Sequence, residues 1–311
     1  HSDAARDYIQ EALEDFSVDI HFIAGGTLTN LTFISHILKP FEAVISAETG
    51  HINTHETGAI EATGHKVCPV LTKDGKLTPD LIRPVLDMHE NEHWVDPRLV
   101  YVSNPTEVGT VYTKEELEDL YAFCKRHDLY FYIDGARLAA ALAAKEETHL
   151  TFPDLPKLCD AFYIGGTKVG AMFGEALVLV NENFKERFRF NMKQKGAILA
   201  KGWFLGVQFE ELFKNNLYIE AGAHSIAMMK PIKEAFEKAG IPLLCEAPTN
   251  QIFPIFPNAL ADEINKKYLT TFQCKPDKDH TCLRFCTSWA TNENAVKDFV
   301  EDFEEMCNRL L

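Results

Sequence analysis

The stretch AFYIGGTKVGA, residues 161–171, combines an apolar run with a lysine flanked by glycines. Residues 161–164 are typical of a short buried strand, and the sequence GGTK that follows ends at Lys168. Glycines at a strand end leave space for a flat ligand, and an amine shielded from water has a lowered pKa that suits Schiff-base formation. The alternative for this stretch alone is a surface lysine after a strand. The other segments of the chain decide between the two interpretations.

Length and composition indicate a folded α/β protein. The chain has 311 residues, of which 46% are hydrophobic and 25% are charged. A chain of this length usually forms more than one core, so we expect a large α/β domain, residues 1–215, and a smaller C-terminal α+β domain, residues 216–311. The net charge of −15 disfavours nucleic-acid binding, which depends on clustered lysine and arginine.

The cysteines and apolar stretches indicate the compartment. The eight cysteines are scattered with no CxxC motif, which favours free thiols over a disulfide framework or a structural zinc site. Apolar stretches fall short of the ~20 residues that span a bilayer, and no signal peptide is visible, so we expect a cytoplasmic protein without a membrane partner. The chain opens at His1 without a methionine, and we therefore expect that native N-terminal residues precede it.

A strand, a glycine turn and a helix follow the first predicted helix. The strand over residues 19–24 leads into GGTLTN, residues 25–30, and helical spacing continues over residues 31–38. The free N–H groups and the helix dipole at such a turn favour phosphate binding. The alternative is a purely structural turn in which Thr27 caps the helix.

Two histidines follow the next predicted strand, residues 43–47. His51 and His55 lie four residues apart, with Glu56 directly after the second. This order differs from the HExxH zinc motif and disfavours a metal site. A histidine at the end of a strand can instead stack on a flat aromatic ligand. We expect a helix over residues 54–63 after it.

Two further strands end in polar residues. The strand over residues 129–133 leads to Asp134 and Arg137, which can pair with a protonated ring nitrogen and with a planar anion. The alternative is that Asp134 caps the next helix and Arg137 is solvated. The strand over residues 99–102 leads to the loop SNPTEVG, residues 103–109, at the sheet edge where ligands bind.

Together these segments predict a parallel α/β sheet whose strand ends supply four groups. They are a phosphate-binding turn, a ring-stacking histidine, a carboxylate for a ring nitrogen and a Schiff-base lysine. This is the set of groups that pyridoxal 5'-phosphate requires.

Four segments resemble the fold-type I pyridoxal phosphate enzymes, and within them the threonine aldolase and β-eliminating lyase group. They are GGTLTN at residues 25–30, GHINTHETGA at 50–59, YIDGAR at 132–137 and FYIGGTK at 162–168. The resemblance covers nearly the whole chain. It implies an aspartate-aminotransferase-like fold, with a mostly parallel sheet flanked by helices and a smaller α+β C-terminal domain. It also implies a homodimer or homotetramer with shared active sites.

The resemblance implies a role for each matching residue. The implied cofactor-binding residues are Gly26, Thr27, His51, Asp134, Arg137, Lys168 and Lys193. Lys168 would form the Schiff base, His51 would stack on the ring and Asp134 would hold the ring nitrogen. The implied ligands of the substrate carboxylate are Arg137 and Arg284. For Lys193 the alternative is an ordinary basic surface loop.

One departure concerns the loop after the strand over residues 99–102. Threonine aldolases of the better-known type carry a histidine there, whereas this chain has the sequence NPTE, which ends at Glu107. The candidates for the proton acceptor are His51, Glu107 or a bound water, in that order. The implied reaction cleaves a β-hydroxy-α-amino acid, L-threonine or L-allo-threonine, to glycine and an aldehyde. The alternatives are β-elimination or transamination at the same site, and a catalytically silent oligomeric protein.

Overall fold

The structure is a computed structural model that describes residues 1–310. Within this part of the chain the strands are β1 (Asp19–Ile23), β2 (Glu42–Ala47), β3 (Val67–Val70), β4 (Asp96–Ser103), β5 (Tyr130–Asp134), β6 (Ala161–Gly165), β7 (Glu175–Leu179), β8 (Gln251–Ile252), β9 (Ile255–Pro257), β10 (Thr271–Cys274) and β11 (His280–Cys286). The α-helices are α1 (Ser2–Leu13), α2 (Gly26–Ile37), α3 (His51–Thr54), α4 (Pro79–Met88), α5 (Lys114–Arg126), α6 (Leu138–Ala143), α7 (Lys145–Thr148), α8 (Leu155–Leu158), α9 (Phe188–Gln194), α10 (Trp203–Lys214), α11 (Leu217–Lys238), α12 (Asn258–Lys267) and α13 (Glu293–Leu310). None of these helices is long and apolar enough to cross a membrane.

The large sheet has seven strands in the order β1-β7-β6-β5-β4-β2-β3 among the described residues. Strands β3, β2, β4, β5 and β6 run parallel, whereas β7 is antiparallel to both of its neighbours, β1 and β6. The predicted, mostly parallel α/β sheet is confirmed. Because β1, β2, β4, β5 and β6 share one direction, the segments that follow them meet at one edge of the sheet.

Both faces of this sheet are buried, which explains the continuous apolar runs in its strands. In β5, Phe131 and Ile133 belong to one apolar cluster, while Tyr132 between them belongs to the cluster on the other face. Neighbouring side chains of a strand point to opposite faces, so both clusters draw on the same strands. The strands are thereby held rigidly under the edge that carries the polar residues.

The C-terminal part has its own core, built from residues 229–306. A small antiparallel sheet lies there in the order β10-β11-β8, and β9 also pairs with β11. Helix α11 begins against the large sheet's helices, since a Cβ on Gly222 would come within 2.3 Å of the Ala139 carbonyl oxygen. The division between residues 215 and 216 stays a prediction, because α11 contacts the first part of the chain and then enters the second core.

Two predicted helix boundaries differ from the structure. Residues 54–63 do not form the expected helix, because α3 ends at Thr54 and only a 3-10 turn forms later, at Glu61–Thr63. Thr57 and Gly58 have φ angles of 52° and 71°, which interrupt a right-handed helix. In addition, α2 begins at Gly26, earlier than the helical spacing predicts.

Candidate active site

Two adjoining cavities lie at the edge of the large sheet where its parallel strands end. The first has a volume of about 270 Å³, and the predicted residues that line it are Gly26, Thr27, His51, Glu107, Asp134, Arg137 and Lys168. The second has a volume of about 280 Å³, and its predicted residues are His51, Glu107, Arg137, Lys168 and Arg284. The structure therefore brings these residues together around one joined cavity.

Lys193 is the predicted residue that the structure places elsewhere. It is exposed on α9 and lines neither of these two cavities. The implied role of Lys193 in cofactor binding stays a prediction.

Asp134 forms the centre of a buried polar network beneath the first cavity. Asp134 is only 2% exposed. Oδ2 accepts hydrogen bonds from the Tyr101 hydroxyl at 2.5 Å and from Asn30 Nδ2 at 3.2 Å, and Oδ1 accepts one from the Ala136 backbone N–H at 3.0 Å. The Tyr132 hydroxyl in turn donates to Asn30 Oδ1 at 3.0 Å. The network fixes the orientation of the carboxylate at the end of β5.

The tyrosine of this network acts as a donor. Burial raises the pKa of Tyr101 well above its ordinary value, and the Asp134 carboxylate beside it raises that pKa further. The phenol therefore keeps its proton and donates a hydrogen bond to Asp134. Sequence reasoning missed both Tyr101 and Asn30, although Asn30 closes the GGTLTN motif, because neither position reveals a contact across the sheet.

His51 is held by a second buried carboxylate. Its Nδ1 lies 2.7 Å from Glu56 Oε1, which also accepts a hydrogen bond from Asn30 Nδ2 at 2.8 Å. Burial lowers the pKa of His51, but the hydrogen bond to Glu56 and the nearby Asp134 charge outweigh burial and raise the pKa above its ordinary value. This favours a protonated, oriented ring, which suits stacking better than proton acceptance.

Lys168 lies in a turn that follows β6. The backbone N–H groups of Gly166 and Thr167 both donate to the Gly174 carbonyl at 3.1 Å, and this places Lys168 between the two cavities. Protein atoms around the amine partly exclude water from it, which disfavours the charged form and lowers the pKa of Lys168. The positive charge of Arg137 lowers this pKa further. The residue still has access to solvent through the cavity. A lowered pKa increases the fraction of neutral amine, which is the nucleophilic form.

Glu175, the first residue of β7, is a site residue that sequence reasoning missed. It is 5% exposed, lines the first cavity, and its Oε2 accepts a hydrogen bond from the Gly166 N–H at 2.9 Å. Burial raises its pKa to about 7. The available signal was a single acidic residue at the start of the apolar run EALVLV, because a carboxylate there has to be buried with a partner.

Glu107 reaches both cavities from the loop after β4. It accepts a hydrogen bond from Ser103 Oγ at 3.0 Å, and burial raises its pKa to about 7, with a further contribution from the Asp134 charge. The loop packs on the C-terminal part of the chain, since a Cβ on Gly109 would come within 2.3 Å of the Gln251 carbonyl oxygen. A carboxyl group that titrates near neutral pH can both take up and release a proton.

The second cavity also contains polar residues that no motif predicted. Gln251 is 1% exposed, its Nε2 donates to the Glu107 carbonyl at 3.3 Å, and its Oε1 has no hydrogen-bond partner among the described residues. Gln273 lies at an irregularity between β10 and β11, where the pairing shifts between Phe272 and Cys274. Such a bulge redirects a side chain, and Gln273 lines the cavity.

Comparison with known proteins shows which family the chain belongs to. A family model described as beta-eliminating lyase matches residues 3–256. The chain belongs to the beta-eliminating lyase family. It is 29% identical over 309 residues to the low specificity L-threonine aldolase of Pseudomonas sp. strain NCIMB 10558, an alignment that covers 96% of this chain and 86% of that protein.

Two solved structures are similar to this chain, one in sequence and fold and the other in fold alone. The structure of Leishmania major threonine aldolase is 49% identical, has a TM-score of 0.96 and is matched over 98% of this chain and 89% of that chain. The histidinol-phosphate aminotransferase of Clostridium acetobutylicum shares the fold, with a TM-score of 0.74 at 13% identity over 99% of this chain and 90% of that chain. The predicted resemblance and the predicted fold are both confirmed.

The family and the shared fold imply pyridoxal 5'-phosphate as the cofactor, and the first cavity fits this group. Helix α2 begins at Gly26 without a side-chain cap, so its first N–H groups are free to bind a phosphate. A Cβ on Gly25 would meet nothing within 4 Å, which leaves room for a ligand at the turn. Asp134 and Lys168 line the same cavity, so an acceptor for a ring N–H and an amine are both present.

Proposed function

We propose that this protein is a pyridoxal-phosphate-dependent aldehyde-lyase that cleaves β-hydroxy-α-amino acids, L-threonine or L-allo-threonine, to glycine and an aldehyde. The observation that carries the proposal is the joined cavity, which places Lys168 between the Asp134 end and the Arg284 end. The likeness to proteins named threonine aldolases supports the choice of substrate.

The first cavity binds the cofactor in this proposal. The N–H groups of Gly26 and Thr27 bind the phosphate at the start of α2, and the His51 ring stacks on the pyridine ring. The Asp134 carboxylate accepts a hydrogen bond from the protonated ring nitrogen, as its orientation by Tyr101 allows. When bound, the cofactor supplies an electron sink for the charge that develops as the Cα–Cβ bond breaks.

The second cavity binds the substrate. Arg284 and Arg137 hold its carboxylate, since a guanidinium group can bind both carboxylate oxygens at once. This contact directs the α-amino group toward Lys168, whose lowered pKa favours the reactive neutral amine. Glu107 lies beside Lys168 in both cavities and can exchange protons near neutral pH.

The proposal includes an oligomer with shared sites, either a homodimer or a homotetramer, in which Lys193 of one subunit reaches the cofactor phosphate of another. Light scattering on the purified protein measures the oligomeric state. If a Lys193→Ala variant binds pyridoxal 5'-phosphate as tightly as the wild type, the role assigned to Lys193 is wrong.

The central experiment is incubation of the protein, loaded with pyridoxal 5'-phosphate, with L-threonine and separately with L-allo-threonine. We expect equal amounts of glycine and acetaldehyde from at least one of them, measured by chromatography and by a coupled aldehyde assay. The formation of 2-oxobutanoate and ammonia alone would instead identify β-elimination and contradict the proposal. The same mixture with L-alanine and a 2-oxo acid tests for transamination.

A further inference from the structure

His55 lies at the substrate end of the joined cavity and has no role so far. It lines the second cavity together with Arg284 but does not line the first. Its ring stacks on the His51 ring, with centroids 5.5 Å apart and planes inclined by 17°. The His55 imidazole is therefore oriented by its neighbour and faces the space that the substrate would occupy.

The hydrogen bonds of His55 define which ring nitrogen is free. Nδ1 lies 2.5 Å from Thr54 Oγ1, and this hydroxyl also lies 3.2 Å from the Gly50 carbonyl oxygen and 3.3 Å from that of Thr49. A hydroxyl has one proton, and a carbonyl oxygen can only accept. When the Thr54 hydroxyl donates to a carbonyl, it must accept from Nδ1–H, and Nε2 then carries the free lone pair.

The charge state of His55 differs from that of His51. Burial lowers the pKa of His55, and the positive charges of His51, Arg284 and Lys168 lower it further. The titratable and charged side chains that line the same cavity are His51, Glu107, Arg137, Lys168 and Arg284. His55 therefore favours the neutral imidazole, whereas the raised pKa of His51 favours the protonated ring, so His55 is the better proton acceptor of the pair.

We infer that Nε2 of His55 takes the β-hydroxyl proton of the substrate, an assignment that rests on the proposed function. The O–H bond breaks and an N–H bond forms, while the hydroxyl oxygen becomes the aldehyde carbonyl. The Cα–Cβ bond breaks and leaves its electron pair on the glycine fragment. His55 releases its proton to solvent and the glycine Cα takes one up, so threonine gives glycine and acetaldehyde without another reactant.

Glu107 is the competing acceptor. Its carboxyl group lines both cavities and accepts a hydrogen bond from Ser103, which lines the first cavity. His55 lines the second cavity alone, where the substrate side chain is expected. His55 would thus supply the imidazole that the loop of Glu107 lacks.

The test compares two reactions of the holoenzyme, of which only one needs a base for a hydroxyl group. Threonine cleavage requires loss of the β-hydroxyl proton, whereas exchange of the glycine α-proton for deuterium, followed by NMR, does not. In His55→Ala we expect kcat for cleavage to fall about 10²- to 10⁴-fold, the usual contribution of a general base. Glycine exchange should stay within about 3-fold of wild type, because the base is dispensable there.

Chemical rescue and pH dependence separate a base from a structural group. Imidazole added to His55→Ala should restore cleavage in proportion to the concentration of neutral imidazole. In the wild type, kcat for cleavage should fall when the pH drops below the pKa of an ordinary histidine, because His55 then becomes protonated. This decrease at low pH should be absent from His55→Gln. Visible absorbance and circular dichroism verify that both variants bind the cofactor and fold.

Each alternative result has a distinct meaning. A wild-type enzyme that exchanges glycine protons but cleaves neither L-threonine nor L-allo-threonine overturns the proposed function. The role of His55 alone is overturned if the wild type cleaves threonine and His55→Ala cleaves it equally well. It is also overturned if His55→Ala loses cleavage and glycine exchange to the same extent and imidazole restores neither. Selective loss of cleavage in Glu107→Gln, with no selective loss in His55→Ala, identifies Glu107 as the base.

Discussion

The two ends of the joined cavity, the proposed cofactor end (the first cavity) and the proposed substrate end (the second cavity), are built in different ways. At the cofactor end, Asp134 is buried and its oxygens accept hydrogen bonds from Tyr101, Asn30 and a backbone N–H. At the substrate end, Gln251 Oε1 is buried without a partner among residues 1–310, and Gln273 lies on a bulge. The Asp134 carboxylate is thus oriented before any ligand arrives, although Glu56 Oε2 in the same network is also buried without a partner among residues 1–310. At the substrate end the side chains of Gln251 and Gln273 are not tied into a comparable network.

The largest effect is expected at the residue that joins the two ends. Lys168→Ala removes the amine that would bind the cofactor covalently. It should reduce threonine cleavage by at least about 10³-fold, because the other catalytic residues depend on this group. The visible absorbance of the lysine-bound cofactor should disappear as well. Lys266→Ala, which changes an exposed lysine paired with Glu263, is the matched control and should change neither signal. Retention of the absorbance in Lys168→Ala would rule out this lysine as the cofactor anchor.

A second test disturbs the preorganised end without changing its size. Asp134→Asn replaces a carboxylate by an amide and places an N–H group against the donors of Tyr101 and Asn30. We expect kcat to fall about 10²-fold or more, the scale for loss of one preorganised electrostatic contact. Steady-state kinetics and a cofactor titration measure it, with Asp128→Asn, an exposed carboxylate, as the control. An unchanged kcat would show that Asp134 does not act on the cofactor ring.

The third test addresses the substrate end. Arg284→Lys keeps the positive charge but loses the fork that binds two carboxylate oxygens, which should cost about 1.5–3 kcal/mol. That cost corresponds to a roughly 10- to 100-fold rise in KM. Cofactor absorbance should not change, because Arg284 lines only the second cavity. Equal changes in KM and in cofactor affinity would mean that the two ends are not separable in this way.

The smallest effect concerns the stability of the cofactor end. Glu175 has a pKa raised to about 7 by burial, so the folded protein holds a proton that the unfolded chain releases above the ordinary glutamate pKa. Its contribution to stability is therefore complete at low pH and is lost as the pH rises through 7. In Glu175→Gln the carboxyl group is absent, so the free energy of unfolding of the variant should improve relative to wild type between pH 5 and pH 8, by on the order of 1–3 kcal/mol.

Urea denaturation of the protein without added cofactor measures this difference at the two pH values. Glu182→Gln, which changes an exposed glutamate, is the control and should show no such trend. A difference between Glu175→Gln and wild type that is the same at pH 5 and pH 8 would contradict the raised pKa.

The sequence predicts the cofactor end better than the substrate end for a physical reason. Asp134 and Lys168 directly follow apolar strands, and parallel strands deliver such residues to one edge whatever the details of packing. Tyr101, Asn30 and Glu175 were missed because their roles depend on which side chains meet across the sheet. The reversed direction of β7, which places Glu175 opposite Gly165, leaves no trace in a uniformly apolar run.

The substrate end depends on long-range pairing that local patterns do not encode. Gln251 belongs to β8, a strand of two residues, and Gln273 is the unpaired residue of a bulge. The prediction of a helix over residues 54–63 is wrong. The position of His55 could therefore not be inferred, because this residue directly follows the short helix α3 instead of lying within a helix. His55 carried a visible signal only in its spacing from His51.

The bulge at Gln273 also bears on how substrate range diverges among related enzymes. Strand β10 is at the edge of its sheet, so a residue inserted or deleted there is absorbed without displacing a second neighbour. One such change reverses which side chains of β10 point into the cavity, because successive residues of a strand face opposite ways. A single codon gained or lost in this hairpin would thus alter recognition of the substrate side chain while leaving Asp134 and Lys168 in place.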